Sequence, residues 1–191
     1  MIRFIFHLKK NENKFIGKRN KMPLTIKSGN LLEATEEYIV QQCNCIALKP
    51  HGLSANITKK YPFADSYGIR RGLSGNLAIP EDRDTPGTIS IMGNGQDQRF
   101  VINMFAQYSY GSSYSTLNKN KQWQDSYEDR KYWFKNCLEC ISKNVKPKTL
   151  AFPYNIGCGL AGGNWENDYY PMLKKFSKDN QNIEIVLYKL N

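Results

Sequence analysis

The chain of 191 residues has no apolar stretch approaching the ~20 residues that a membrane span needs. Its opening MIRFIF is too short for the apolar core of a signal peptide. A soluble, intracellular protein, cytoplasmic or nuclear and with no membrane partner, is therefore expected. No internal repeat is present, and 191 residues with 40% hydrophobic content most simply make one domain around one core. Histidine is scarce, with two in the whole chain, and acidic residues are outnumbered 17 to 27 by basic ones. The five cysteines, an odd number, suit reduced thiols in a cytosol-like compartment. A zinc site would have to draw on Cys43, Cys45, His51 and Cys158, and a C-x-C with one distant cysteine matches no regular zinc pattern. Cys137 and Cys140 form a C-x-x-C inside a helical pattern rather than at a helix N-terminus, which favours core thiols over a redox pair. Neither a metal nor a cofactor is expected.

The net charge of +10 is unevenly spread. Residues 1–22 hold seven lysines and arginines against the single acid Glu12, which accounts for more than half of the excess. This stretch, rich in Lys and Asn and without sustained periodicity after Leu8, reads as a flexible basic extension ahead of a domain at 23–191. It would either attract nucleic acid or another polyanion weakly, or serve as a solvated tail.

Within the domain, strand-like and helical patterns alternate. Residues 24–27 read as a short strand broken by Ser28-Gly29-Asn30, and 38–45 (YIVQQCNC) as a buried strand with a polar end. Leu53, Ile57 and Tyr61 stand at helical spacing over 53–60, with Pro62 as the stop. An irregular connection is expected over 63–86. Strands at 88–92 and 99–106 flank Gly93-Asn94-Gly95, the pattern of a hairpin. After a Tyr-, Ser-, Gly- and Asn-rich loop at 107–124, Ser126-x-x-Asp129 resembles a capping box. The helix it starts is expected to run to about Asn144, buried through Tyr127, Phe134, Cys137, Leu138, Ile141 and Val145. A strand at 149–154, a helix at about 168–178 and a strand at 183–190 complete an α/β order. The pattern predicts a mixed central sheet with helices on both faces.

Two glycine-containing loops follow strand C-termini, at 46–53 and 155–163. The second is the denser, with Gly157, Gly159, Gly162 and Gly163 inside FPYNIGCGLAGGNW. Backbone N–H groups without side chains in the way suit a diphosphate. Asn164 and Trp165 follow where a P-loop needs Lys and Ser or Thr, so a kinase or NTPase is excluded. A dinucleotide fold is excluded too, because the loop lies in the last quarter of the chain. Ligands of open α/β sheets sit outside the carboxyl ends of strands, so the two loops are expected to share one cleft. Asn44, at the end of the first buried strand, has the donors and the acceptor to hold a ribose hydroxyl or a water, or equally to tie its own loop to a neighbouring strand. His51 is either an acid/base near that cleft or an exposed bystander.

These residues resemble the macro domains, which bind ADP-ribose; the resemblance covers residues 24–190. Ser28-Gly29-Asn30-Leu31-Leu32 is similar to the family's early Gly-Asp-hydrophobic motif, with Asn30 in place of Asp, and YIVQQCNC to its strand ending in Asn-x-x-Asn. The segment from His51 to Ile57 resembles the first diphosphate-side loop, and FPYNIGCGLAGG the second. Cys-Asn-Cys and Gly-Cys-Gly-Leu are most similar to the branch of ADP-ribose 1″-phosphate phosphatases and glutamate-linked ADP-ribose hydrolases. The resemblance implies a three-layer α/β/α sandwich, with ADP-ribose or its derivatives, and ADP-ribosylated proteins, as partners. It further implies an adenine contact from Glu37 and a diphosphate and distal-ribose lining from Gly52, Leu53 and Asn44. The phosphate loop would be Gly157, Cys158, Gly159, Leu160, Ala161 and Gly162, with Phe105 and Tyr154 flanking the cleft. Ser54 and Ala161 stand where two hydrolase branches carry a catalytic Asp, which leaves Asn44 and His51 as the expected catalytic pair for a distal-ribose hydrolysis; a non-catalytic reader is the other implied role.

Overall fold

The computed structural model describes residues 24–113 and 124–191. The extension at 1–22 and most of the second half of the loop expected at 107–124 lie outside them. In chain order the elements are β1 (Leu24–Ser28), β2 (Tyr38–Asn44), α1 (Leu53–Lys60), β3 (Gly72–Ser74), β4 (Leu77–Ala78), β5 (Ile89–Met92), β6 (Phe100–Gln107), α2 (Tyr127–Cys140), β7 (Thr149–Pro153), α3 (Tyr170–Asp179) and β8 (Glu184–Lys189).

Consecutive strand residues point to opposite faces, and the sequence fills both faces with apolar groups. Val40, Ile102, Phe152 and Leu187 enter one core, while their neighbours Ile39, Val101, Ala151 and Val186 enter the other. A strand buried on both sides reads as a continuous apolar run, the pattern of parallel sheets. The six-stranded sheet has the order β1-β8-β7-β2-β6-β5. All of its pairs are parallel except β5 with β6, the hairpin expected from Gly93-Asn94-Gly95. Phe134, Cys137 and Leu138 of α2 and Leu173 and Phe176 of α3 cover the first face. On the second, α1 inserts Ile57 against Ile39 and Val101. The result is the expected α/β/α sandwich with a mixed central sheet.

The capping box at the start of α2 forms in both directions: Asp129 N–H donates to Ser126 Oγ (3.1 Å), and the Asp129 carboxylate accepts from Ser126 N–H (2.9 Å). Three local features differ from the expectation. The region 63–86 contains the ribbon β3–β4, where Arg71 grips Asp82 through two side-chain bonds of 2.7 and 2.9 Å. The end of α2 loosens into a π-turn, Ile141–Val145, and Lys146 turns left-handed at φ 52° ahead of Pro147. A second π-turn, Trp165–Tyr169, precedes α3, so the regular helix starts at Tyr170 with Pro171 in its first turn.

Ile57 is fully buried and is one of two buried residues of α1, the other being Ser54. Ile57→Ala should lower stability by about 2–5 kcal/mol, the cost of a large-to-small change in a packed core, as measured by urea unfolding. Hydrogen exchange should show the loss of protection concentrated in α1.

Candidate functional site

β1, β8, β7, β2 and β6 run parallel and end at one edge of the sheet. Because β2 and β7 are neighbours, the loops that follow them emerge side by side. Between them lies a cleft of about 660 Å³, walled by residues 29–32, 51–54, 153–157 and 159–161 together with the ends of β2, β6 and β8.

The loop after β7 is folded on itself by its own main chain. Gly162 N–H donates to Gly159 O (2.9 Å), Gly163 N–H to Gly157 O (3.0 Å), and Cys158 N–H to Asn155 O (3.0 Å). Two of its glycines are required by the geometry. Gly157 sits at φ +77°, and a Cβ there would lie 2.7 Å from the Tyr169 ring and 2.8 Å from Gln42 Oε1. At Gly163 a Cβ would lie 2.5 Å from Gly157 O. This closure leaves the amides of Gly157, Gly159, Leu160 and Ala161, all on the cleft wall, without partners among the described residues. Opposite them, α1 begins at Gly52 without a side-chain cap and with no acidic residue in its first turn. Its first N–H groups, at Leu53 and Ser54, have no intrahelical partner and belong to residues that line the cleft. Two sets of unpaired amides across one cleft form an anion cradle built from main chain.

Beneath the cradle is a chain of oriented amides. Gln42 Nε2 donates to Gln107 Oε1 (2.8 Å), and Gln107 Nε2 donates to Ser109 O (3.0 Å). Ser109 O in turn accepts from Arg130 Nη2 (3.3 Å). Arg130, 1% exposed, forms a two-point ion pair with the fully buried Asp125, Nε to Oδ1 and Nη2 to Oδ2, both 2.7 Å. Its Nη1 donates to Gly111 O (2.7 Å) and to Ala161 O (3.0 Å). Asp125, held left-handed at φ 52°, also accepts from the Ser109 amide (2.9 Å) and hydroxyl (2.7 Å). One buried pair thus joins α2, the segment after β6 and the cleft loop.

The structure brings Asn30, His51, Gly52, Leu53, Ser54, Tyr154, Gly157, Gly159, Leu160 and Ala161 onto the cleft, and not the other expected residues. Asn44 is buried, and its Oδ1 accepts from Ile46 N–H (3.2 Å) and Ala47 N–H (2.8 Å), so its side-chain oxygen closes its own turn after β2 rather than tying the loop to a neighbouring strand. Glu37 lies at the opposite edge of the sheet, where its Oε2 accepts from Lys148 N–H (2.9 Å) and its own N–H donates to Thr149 Oγ1 (2.7 Å). It precedes β2, whereas the cleft lies beyond the C-terminal end of β2, so the adenine contact expected of it is not available. Phe105 is buried with Cys43, Cys45, Tyr67 and Trp133. Burial lifts the Cys43 thiol to about 11. Cys158 turns inward, its Sγ 3.3 Å from Ile156 O. Gly162, at φ +75°, packs against Ser112. Sequence reasoning missed Gln42, Gln107, Asn56 and Tyr188 on the cleft, and Arg130 behind it.

No protein-family model matches the chain, and no curated protein matches its sequence. Solved structures match its shape. The macrodomain of Mycobacterium tuberculosis DarG superposes with a TM-score of 0.62 at 20% identity, covering 86% of this chain and 96% of its own. Thermosipho africanus DarTG in complex with ADP-ribose gives 0.60 at 15% identity, over 90% of this chain and 42% of that one. The Trypanosoma brucei macrodomain in complex with ADP-ribose gives 0.54 at 10% identity, over 88% and 63%.

Two outcomes follow from the site's construction. Arg130→Ala strands the Asp125 carboxylate in the interior and should destabilise the fold by about 3–5 kcal/mol in denaturant titrations. Burial, helped by the negative charge of Asp168, pushes the Cys158 thiol up to about 12. At pH 8 its thiolate is therefore scarce, and site-resolved mass spectrometry should find Cys158 alkylated by iodoacetamide at least about a hundredfold more slowly than free cysteine.

Proposed function

We propose that this chain, which has the macrodomain fold, binds ADP-ribose along the cleft. The observation that carries the reading is the pair of facing amide sets, the closed loop after β7 and the uncapped start of α1. Among the described residues no lysine, arginine or carboxylate lines the cleft. Its attraction for a diphosphate then comes from fixed N–H dipoles rather than from mobile charges. A volume of about 660 Å³ lies within the range of small-ligand sites, roughly 300–1,000 Å³. The structural neighbours bound to ADP-ribose support the same ligand.

In this pose the diphosphate bridges the two amide sets, and the aliphatic and aromatic groups at the β1–β8 side take the base. The distal ribose then extends toward His51, Ser54 and Asn56. A second, hydrolytic reading is favoured by His51, the only imidazole or carboxyl group on the cleft among the described residues. It would assist attack of water at the distal ribose, on a 1″-phosphate or on an ester joining ADP-ribose to a protein. The commitment of Asn44 Oδ1 to Ile46 and Ala47 moves the catalytic weight of that reading onto His51.

Calorimetry with ADP-ribose should show saturable binding that Gly157→Ala weakens at least tenfold, because the added Cβ collides with Tyr169 and Gln42. No heat of binding to the wild type would refute the reading. Incubation with ADP-ribose 1″-phosphate and with Glu-, Asp- and Ser-linked ADP-ribosylated proteins tests hydrolysis. Turnover that His51→Ala abolishes supports the hydrolase; binding without turnover leaves the reader.

A further inference from the structure

The two loops that form the cleft are held in different ways. The loop after β7 is closed by its own main chain and by Arg130. The segment that leaves β2 is held chiefly by four residues between positions 70 and 84, none of which lines the cleft. The buried Arg70 donates from Nη1 to Ala47 O (2.6 Å) and from Nη2 to Asn44 O (3.0 Å), and Nη2 also pairs with Asp84 Oδ2 (2.5 Å). Asp84 N–H donates to Cys45 O (3.1 Å), and Ala78 N–H donates to Ile46 O (2.8 Å). Asn76, in the turn between β3 and β4, accepts at Oδ1 from Leu48 N–H and from Lys49 N–H, each at 3.1 Å. Cys45 N–H donates to Tyr108 O (3.0 Å), and Asn44 Oδ1 takes the amides of Ile46 and Ala47. Every carbonyl from Asn44 to Ala47 and every amide from Cys45 to Lys49 is therefore bonded. Pro50 has no N–H, and the amides of His51 and Gly52, which line the cleft, have no partner among the described residues. The bonds stop where the cleft begins.

We propose that the ribbon β3–β4 braces the first cleft loop, with Asn76 as its positioning residue, and that this brace sets the site's hold on the group beyond the diphosphate. It rests on the ADP-ribose reading, in which the distal ribose extends toward His51, Ser54 and Asn56. Only Pro50 stands between the two amides that Asn76 holds and His51, so a shift of Leu48 and Lys49 passes along the main chain to the imidazole. A binding group is only as well placed as the residues that support it from outside the site. The loop after β7 has its own closure and does not touch Asn76, so its diphosphate amides keep their places when the brace is cut. Loss of Asn76 should then cost the distal ribose more than the diphosphate.

Calorimetry on the full chain compares ADP-ribose with ADP, which lacks the distal ribose, for the wild type, Asn76→Ala and Asn76→Asp. Aspartate keeps an acceptor oxygen for the two amides, and alanine does not. The wild type should bind ADP-ribose at least about tenfold tighter than ADP, Asn76→Ala at most about twofold tighter, and Asn76→Asp should regain the wild-type ratio. Equal binding of the two ligands by the wild type overturns the proposal whether or not the variants fold. So does a ratio that Asn76→Ala leaves unchanged, or one that Asn76→Asp fails to regain while melting at the wild-type temperature. Hydrogen exchange without ligand tests the brace by itself. Asn76→Ala should speed exchange at Ile46 and Ala47, whose acceptor is Asn44, and leave the loop after β7 as it is in the wild type. Faster exchange at Leu48 and Lys49 alone overturns the brace. If the wild type binds neither ligand while exchange changes as expected, the ADP-ribose reading fails and the brace stands.

Discussion

The interaction on which the rest of the site depends is the buried ion pair of Arg130 and Asp125. A guanidinium withdrawn from water is tolerable only where each N–H finds an acceptor, and here the fixed fork of five donors is spread over one carboxylate and three carbonyls. Those carbonyls belong to segments that share no strand pairing. Ser109 and Gly111 follow β6, and Ala161 belongs to the loop after β7. The ion pair therefore fixes the loop to the helix layer through the Ala161 carbonyl, while the residues whose amides are unpaired among those described line the cleft. The Gln42–Gln107 amides hang from the same Ser109 carbonyl.

The sandwich was legible because its strands are short apolar runs separated by helical periods, and each face of the sheet demands its own set of large side chains. The ribbon β3–β4 was not, since three residues and two cannot display an alternation. Arg130 could have been found. It stands three residues after Tyr127 and four before Phe134, inside the apolar stripe of α2, where a charge calls for a buried partner. Glu37 could have been dismissed on topology alone, since a residue preceding a strand cannot reach the edge where that strand ends. Asn44 was located, and its partners were legible too, since an asparagine oxygen accepting from the amides two and three residues ahead is an Asx-turn, a habit of asparagine at the end of a strand.

The cleft differs along its length in what it offers a ligand. Aliphatic and aromatic surface lies beside β1 and β8, unpaired amides belong to the loops after β2 and β7, and the imidazole and small polar side chains come from the loop after β2 and the start of α1. These are the surfaces that the base, diphosphate and sugar of the proposed ligand would meet. The cleft also separates charge from recognition: the chain's net charge of +10 places no lysine or arginine on the cleft wall among the described residues.

Leu160 borders the cleft, is 68% exposed and has no partner for its amide among the described residues, so in the proposed cradle it would serve by backbone trace and hardly at all by identity. Selection can then rewrite such positions freely so long as the two tight glycine approaches survive. A cradle of this kind can keep its shape while its spelling changes, and the solved structures that share a fifth or less of their residues with this chain still superpose over most of it.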